Sequence, residues 1–318
     1  MNQLARSAVA AAALYLRTSP FTAARWRVIA RFLPVLRKHG AYLGEKIVRT
    51  RYGFRFRADL GDWLGQYVYL TGTYEPPTAR IISALLRPGD RFADIGANSG
   101  FFTLLAASRV GCTGKVISFE PVPSMRARLL DNVHLNGFSN VEAHDVALSD
   151  RCDTLTFYVG PEGHKGVSSL RVIENPGARL QVKTMPLDDM ADEVGHLRLA
   201  KIDVEGAEQK VLKGMQRITE KHRPFLLLEI TDAFLRAMGD DAVSLAEGLA
   251  TKGYLMYAIT ESGLCPMTPQ QAAEQRQYNA LFAPERVPDD LLTADCPGEG
   301  IAVRSDQLNG QRPPEQRS

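Results

Sequence analysis

The sequence predicts an α/β protein built on a parallel sheet with helices on both faces, and three features predict it. A short apolar run, Ala93-Asp94-Ile95, enters a turn with Gly96 and Gly100 at its ends, after which Phe101, Leu104, Leu105 and Ala107 fall at helical spacing. A second apolar run, Val116 to Phe119, ends in Glu120 and Pro121. Strand-like and helix-like segments then alternate as far as Phe282, as expected of parallel strands joined by covering helices. A chain of 318 residues with 45% hydrophobic content is long enough to bury such a core as one large domain with extensions.

The first extension, residues 1–57, is helical and basic. It carries 12 Lys/Arg and a single acid, Glu45, for a net of +11, so a chain of net charge +2 holds −9 in the remainder. Ala8 to Leu16 is apolar but too short to span a bilayer, and no clear small-residue cleavage site follows it. Phe21 to His39 reads as an amphipathic helix with Trp26, Ile29, Leu33 and Leu36 on one face, Arg27, Arg31 and Lys38 elsewhere, and a kink at Pro34. Such an arm suits a helical lid with a solvated basic face; the alternative is peripheral contact with a membrane surface or a nucleic acid.

The main domain is expected over 58–284. Arg55 to Ala58 is a short strand and Asp62 to Thr71 a helix, broken by Gly72, Tyr74, Glu75, Pro76 and Pro77. Tyr74 and Glu75 thus lie on a loop ahead of the core, placed either to close over a ligand or simply to make the turn. A helix from Thr78 buries Ile81, Ile82, Leu85 and Leu86 and stops at Pro88-Gly89-Asp90. After the two strands described above come a helix over Met125–Leu135 and a third strand over Val141–Val146, with Asp145 near its end. Thr154–Val159 and Arg179–Lys183 are β-type segments without an intervening helix, bracketing the polar excursion Gly160–Ser169 near the substrate side. Leu197–Asp203 resumes the sheet, followed by a helix through Val211, Leu212, Met215 and Ile218 and a strand over Phe225–Ile230. A helix over Ser244–Lys252 and a closing pair, Tyr254–Thr260 and Tyr278–Phe282, complete the domain. Residues 285–318 form a tail expected to be irregular, because five prolines and no aromatics occur from Pro284 onward.

Ligand chemistry follows from the first turn. Without a Cβ, Gly96 lets backbone approach a ligand, and Asn98 and Ser99 are expected to cap a helix whose free N–H groups face it. Glu120 lies 24 residues beyond Gly96, close to the spacing of about 20 at which a Rossmann acid meets ribose hydroxyls. The turn lacks the glycine spacing that admits a pyrophosphate, so a nucleoside ligand without phosphates fits better, which points to S-adenosylmethionine. Asp94, Gly96, Asn98, Gly100, Glu120 and Asp145 are the expected cofactor residues.

Asp203 and Glu229 end neighbouring strands at the edge where open sheets hold their ligands. Both are candidates for general base or for orienting a substrate; for Asp203, capping the Val204–Gly206 turn or meeting the cofactor's ammonium is an equal alternative. Lys201, two residues earlier on the same side, reads as an ion-pair partner, while Glu205 and Glu208 complement a helix dipole. The six histidines do not cluster, with His164 in the excursion the alternative base, and no metal site is apparent. Cys112, Cys152, Cys265 and Cys296 are scattered, which suggests free thiols in a reducing cytosol and a cytoplasmic protein.

Several runs together resemble the FkbM family of S-adenosylmethionine-dependent methyltransferases over roughly residues 60–284. Gly72 to Pro76 with Phe92 to Gly100 is similar to that family's opening, and Phe119-Glu120-Pro121 with Asn132-Val133-His134-Leu135-Asn136-Gly137 to its second block. The run from Lys201 to Glu208 is the most distinctive, and Asn279-Ala280-Leu281-Phe282 resembles the end. The resemblance implies a class I methyltransferase fold, a Rossmann-like doubly wound sheet of seven strands whose last is antiparallel. It also implies O-methylation of a hydroxyl on a sugar, polyketide, lipid or other small-molecule or glycan acceptor. Two other readings stand beside it: an RNA methyltransferase using the basic arm, and a non-catalytic S-adenosylmethionine-binding protein. Against the first, no Asn/Asp-Pro-Pro-aromatic run follows Asp203.

Overall fold

The computed structural model describes residues 3–18, 25–160, 168–272, 275–294 and 296. Two helices, α1 (Gln3–Thr18) and α2 (Arg25–His39), lead into a hairpin of β1 (Glu45–Arg49) and β2 (Arg55–Asp59). Helix α3 (Trp63–Thr71) starts where the Asp62 carboxylate accepts from the Leu64 N–H at 3.2 Å, and α4 (Pro76–Leu85) follows. Then come β3 (Arg91–Ile95), α5 (Phe101–Val110), β4 (Lys115–Phe119), α6 (Pro123–Asn136) and β5 (Val141–His144). A small sheet interrupts the alternation with β6 (Ala147–Leu148), β7 (Asp153–Val159) and β8 (Ala178–Met185), and the one-turn helix α7 (Ala191–Val194) leads out of it. The main sheet resumes with β9 (Leu199–Ile202), α8 (Glu208–Lys213), α9 (Gln216–His222), β10 (Phe225–Thr231), α10 (Asp232–Ala237) and α11 (Ala242–Thr251). It finishes with β11 (Leu255–Ile259), β12 (Leu264–Pro266), α12 (Pro269–Ala272) and β13 (Gln277–Ala283).

The main sheet runs β12-β11-β13-β10-β9-β3-β4-β5. Strands β3, β4, β5, β9 and β10 are mutually parallel, and β13 is antiparallel to both β10 and β11. This is the class I methyltransferase arrangement with its antiparallel last strand. It holds eight strands instead of the expected seven, because the short β12 adds antiparallel to β11 at the edge. Such a three-residue strand carries too little apolar pattern to be read without its partner. Alternate residues feed opposite cores. Phe92, Val116 and Leu227 pack against the α3–α5 side, whereas Ala93, Ile117 and Leu228 pack against the α8–α11 side.

The N-terminal helices join the first of these cores. Val9, Ala13, Leu16, Ile29, Leu33 and Leu36 are buried with residues of α3, α4 and α5, and the expected boundary at 57/58 falls inside β2. Trp26, expected on the same face, lies outside the described side chains. As far as it is described, the tail is fastened to the domain. Val287 is buried, Leu292 bridges to Leu264, and Cys296 forms a disulfide with Cys265. Only Cys112 and Cys152 are free thiols, both exposed. The pairing joins residues 31 apart through a fold that no spacing rule encodes, so the expectation of four free cysteines is corrected. Among the described residues no helix is long and apolar enough to cross a membrane.

Candidate active site at the carboxyl ends of the strands

The chain runs outward from β3 to β4 and β5, then returns to β9 on the other side of β3, so the order reverses between β3 and β9. A crevice forms outside the strand ends at such a reversal. Here the loops that follow β3, β4 and β9 are stitched together. The Gly96 and Ala97 N–H groups both donate to the Phe119 carbonyl, at 3.0 and 3.1 Å, and the Asp203 N–H donates to the Ile95 carbonyl at 3.0 Å. Gly96 has φ +84, and a Cβ there would stand 1.9 Å from the Asp203 carbonyl oxygen, so this junction excludes any side chain.

Over that junction opens a cleft of about 560 Å³, solvent at its mouth included. Its floor is Ile95, Gly96, Asn98, Phe119 and Glu120, and Asp203, Val204 and Ala207 form one wall. Val146, Ala147 and Leu148 form the other, with Phe157, Ser168 and Leu170 of the small sheet and its excursion leaning over it. The excursion therefore reaches the cleft as expected, but His164 and the rest of 161–167 lie outside the described residues.

Glu120 is buried, and its two oxygens accept from the Asn98 and Val122 N–H groups, each at 2.8 Å. Burial pushes its carboxyl up to about 7, against the lowering effect of those two bonds. A carboxylate offers about four lone-pair sites, so two remain for hydroxyl donors in the cleft. Asn98 does not cap α5 as expected. It sits at φ +52, with its side-chain oxygen accepting from the Ser99 N–H at 2.6 Å, and Gly100 holds the cap position without a side-chain bond. Asp94 and Gly100 stand away from the cleft lining. The Asp94 carboxylate accepts from Thr103 Oγ1 at 2.6 Å within the core, and a Cβ on Gly100 would meet Leu129 at 2.9 Å. Asp145 points outward, 70% exposed and 3.8 Å from Arg126, while the residues just after it line the cleft.

A second group of side chains meets the cleft at Asp203. The Lys201 ammonium is buried and 2.7 Å from Asp203 Oδ2, which makes it the ion-pair partner the sequence suggested. Glu75, Asp203 and Glu229 each bring one carboxylate oxygen to within 4.8 Å of the others. Glu75 comes from the loop before α4, where its backbone is held at φ +38, a costly conformation for a residue with a side chain. Asn279 Nδ2 fixes it, donating at 2.9 Å to both Glu75 Oε2 and Thr78 Oγ1. Glu229 accepts from Gln277 Nε2, two residues earlier on β13 and so on the same face.

Charge crowding dominates this group. Burial and then the carboxylates of Asp203, Glu75 and Glu205 push Glu229 well above its ordinary value, and burial raises Glu75 as well. Burial works to lower Lys201, but Asp203, Glu75 and Asp94 outweigh it and hold the ammonium above its usual value. Three acids and one lysine leave an excess of negative charge that a proton or a further cation must offset. Such a set is able to hold a divalent cation, though Lys201 already occupies one face of Asp203. Beside them, Glu205 lies on the turn at φ +54, outside the helix, with burial raising it to about 8. Glu208 opens α8 and accepts from the Gly206 and Val204 N–H groups at 3.1 and 3.3 Å, which ties down the turn.

The role of Glu75 was only half visible in sequence, as a loop acid of uncertain duty. Gln277 and Asn279 carried one usable signal: polar residues at alternate positions of an otherwise apolar strand share a face.

A family described as the methyltransferase FkbM domain matches residues 94–255. Among curated proteins, methyltransferase 1 of Beauveria bassiana is 32% identical over 149 residues, covering 40% of this chain and 59% of that protein. The AMB antimetabolite synthetase AmbE of Pseudomonas aeruginosa is 28% identical over 207 residues, 54% of this chain but 10% of that protein. The chain thus spans less than two thirds of either relative. A solved methyltransferase FkbM from Methylobacillus flagellatus superposes with a TM-score of 0.41 at 17% identity, over 80% of this chain and 59% of that one. A solved S-adenosylmethionine-dependent O-methyltransferase from Thermotoga maritima gives 0.39 at 14% identity, over 77% and 79%.

Proposed function

The chain belongs to the FkbM methyltransferase family, and from that premise we propose that it methylates a hydroxyl oxygen on a sugar, polyketide, lipid or other small-molecule or glycan acceptor. Family membership makes S-adenosylmethionine the cofactor, and the cleft fits it. Glu120 keeps free lone pairs for two vicinal hydroxyls, Gly96 and Asn98 offer close backbone, and Val146 to Leu148 give an apolar wall for a base. When bound, the cofactor supplies a methyl group already activated by its sulfonium.

What remains for the protein is to align an oxygen and take its proton. One observation carries the reading: the acid group of Glu75, Asp203 and Glu229 abuts the cofactor cleft through Asp203. The Lys201 ammonium, 2.7 Å from Asp203 Oδ2, aims that carboxylate, which suits it to receive a hydroxyl hydrogen bond. Glu229, raised by burial and like charge, is a strong base once ionised, which suits it to take up the acceptor's proton. Alignment of oxygen against methyl supplies the rest of the acceleration.

Glu229→Gln or Asp203→Asn is expected to slow methyl transfer to a hydroxyl acceptor by about 10²–10⁴-fold, the usual worth of general-base assistance. Cofactor affinity, read by calorimetry, should stay within a few fold, since a base acts on the transition state. Loss of cofactor binding in both variants would make them pocket residues, and exclusive transfer to amines would sink the hydroxyl reading. Chelators are expected to leave turnover unchanged because Lys201 serves as the local cation. A chelator-sensitive enzyme would hand that role to a metal on the three carboxylates.

A further inference from the structure

We propose that the outer surface of α1, α2 and the β1 hairpin is a docking face for an anionic lipid surface. Helices α1 and α2 touch each other and both rest on α3, burying Val9, Ala13, Leu16, Ile29, Leu33 and Leu36. Their opposite stripes therefore border one outward surface. The two stripes differ in chemistry. On α1 the exposed positions include Ala8, Ala10, Ala11 and Leu14, beside Gln3, Arg6, Ser7 and Thr18. On α2 they are Arg27, Ala30, Arg31, Pro34, Arg37 and Lys38, four of the six basic.

Part of the arm's charge is structural. Arg25 and Arg51 both donate to the Leu16 carbonyl at the end of α1, and Arg37 lies over the Trp63 ring at 4.3 Å. Arg27, Arg31, Lys38 and Lys46 are different: they are exposed, and among the described residues none pairs with a carboxylate. The same N-terminal segment concentrates exposed apolar side chains. Six large hydrophobic residues are exposed among the described residues, and three fall here: Leu14 (59%), Tyr42 (80%) and Ile47 (54%). Tyr42 lies in the short turn after α2, and Ile47 lies on β1 on the same face as Arg49.

A solvated basic face requires no exposed leucine, isoleucine and tyrosine beside it. A nucleic acid would use the charges and stack on Tyr42, but it offers nothing to Leu14, Ile47 and the alanine stripe. A lipid interface uses both: anionic headgroups attract the basic residues, and the acyl boundary takes up the apolar ones. This inference is independent of the methylation reading.

The test is co-sedimentation of the full chain with vesicles of phosphatidylcholine, with and without phosphatidylglycerol. Binding is expected only to the anionic vesicles, and weaker at higher salt. Reversing two surface charges with Arg27→Glu and Arg31→Glu together should weaken partition by about 30-fold or more. Leu14→Ser should weaken it by about tenfold. An unchanged thermal midpoint confirms that each variant folds; where the double reversal does not fold, Arg27→Gln with Lys38→Gln replaces it. No binding to anionic vesicles, or equal binding to neutral ones, overturns the proposal. So does tight binding of a single-stranded RNA that the charge variants abolish and Leu14→Ser leaves intact, which would assign the face to nucleic acid.

Discussion

Two carboxylates, Glu120 and Glu229, sit on opposite sides of Asp203, and they are held in contrasting ways. Glu120 is gripped by backbone: two N–H groups from loops that β3 and β4 fix in place occupy one lone pair on each oxygen. Glu229 is held by a side-chain amide and surrounded by other acids. Backbone donors cannot move away without unmaking the turn, so the first site is rigid and suited to ground-state binding. Like charges at close range make protonation easy to change, so the second is suited to a proton that must come and go. Lys201 makes the arrangement possible, because it is the cation paired with Asp203 itself, whereas Arg171 acts on Glu205 and Glu208.

Lys201→Met tests that dependence most severely. Breaking a buried pair on one side is expected to cost about 3–5 kcal/mol of folding stability, read by denaturant titration. The deficit should shrink as pH falls, because the stranded carboxylates then protonate. A deficit that does not respond to pH would mean that lost packing against Phe102, over whose ring the ammonium lies at 4.8 Å, is the larger effect.

On the rigid side the expected effects are smaller. Glu120→Gln removes the charged acceptor and should weaken S-adenosylmethionine binding by about 1.5–3 kcal/mol, the range for hydrogen bonds to a charged group. Calorimetry that finds unchanged affinity takes Glu120 out of the site. Turnover at saturating cofactor should change far less than in Glu229→Gln, and equal losses would erase the distinction between the two acids.

Glu120 and Glu208 also give a pH signature. Burial raises both to about 7 from an ordinary 4.5, so between those values the folded protein keeps protons that the unfolded chain has released. Stability of the cofactor-free protein should therefore fall as pH rises from about 4.5 to 7. A thermal midpoint that climbs over this range would contradict the burial of both groups. The smallest effect belongs to Asp145→Asn. An exposed pair 3.8 Å from Arg126 contributes under about 1 kcal/mol, so cofactor affinity should barely move.

Much of the rigid side was legible in the sequence because it is local. Gly96, Asn98 and Glu120 follow from one strand, one turn and the end of the next strand, a distance over which spacing is informative. Even there the sequence misjudged detail: Asn98 adopts a left-handed backbone in place of a cap, and the side chain of Asp94 turns to Thr103 in the core. The acid group was less legible. Asp203 and Glu229 could be placed at strand ends, but Glu75 reaches them only through tertiary packing. Its strained backbone has no sequence signature, and the alternating polar residues of β13 tell only that Gln277 and Asn279 share a face, not that Asn279 meets Glu75. The Cys265–Cys296 disulfide and the edge strand β12 were invisible for the same reason, since each exists only by virtue of its partner.

Strand β13 is made after nearly every other part of the sheet, yet it lies between β10 and β11. While the chain is being synthesised, β10 presents an unpaired apolar edge, and β11 with β12 has nowhere to dock until residues 277–283 emerge. Asn279 and Gln277 arrive on that same strand, so the grip on Glu75 and Glu229 closes last. A nascent chain would thus hold the Glu120 cleft before Gln277 and Asn279 arrive to fix Glu229 and Glu75.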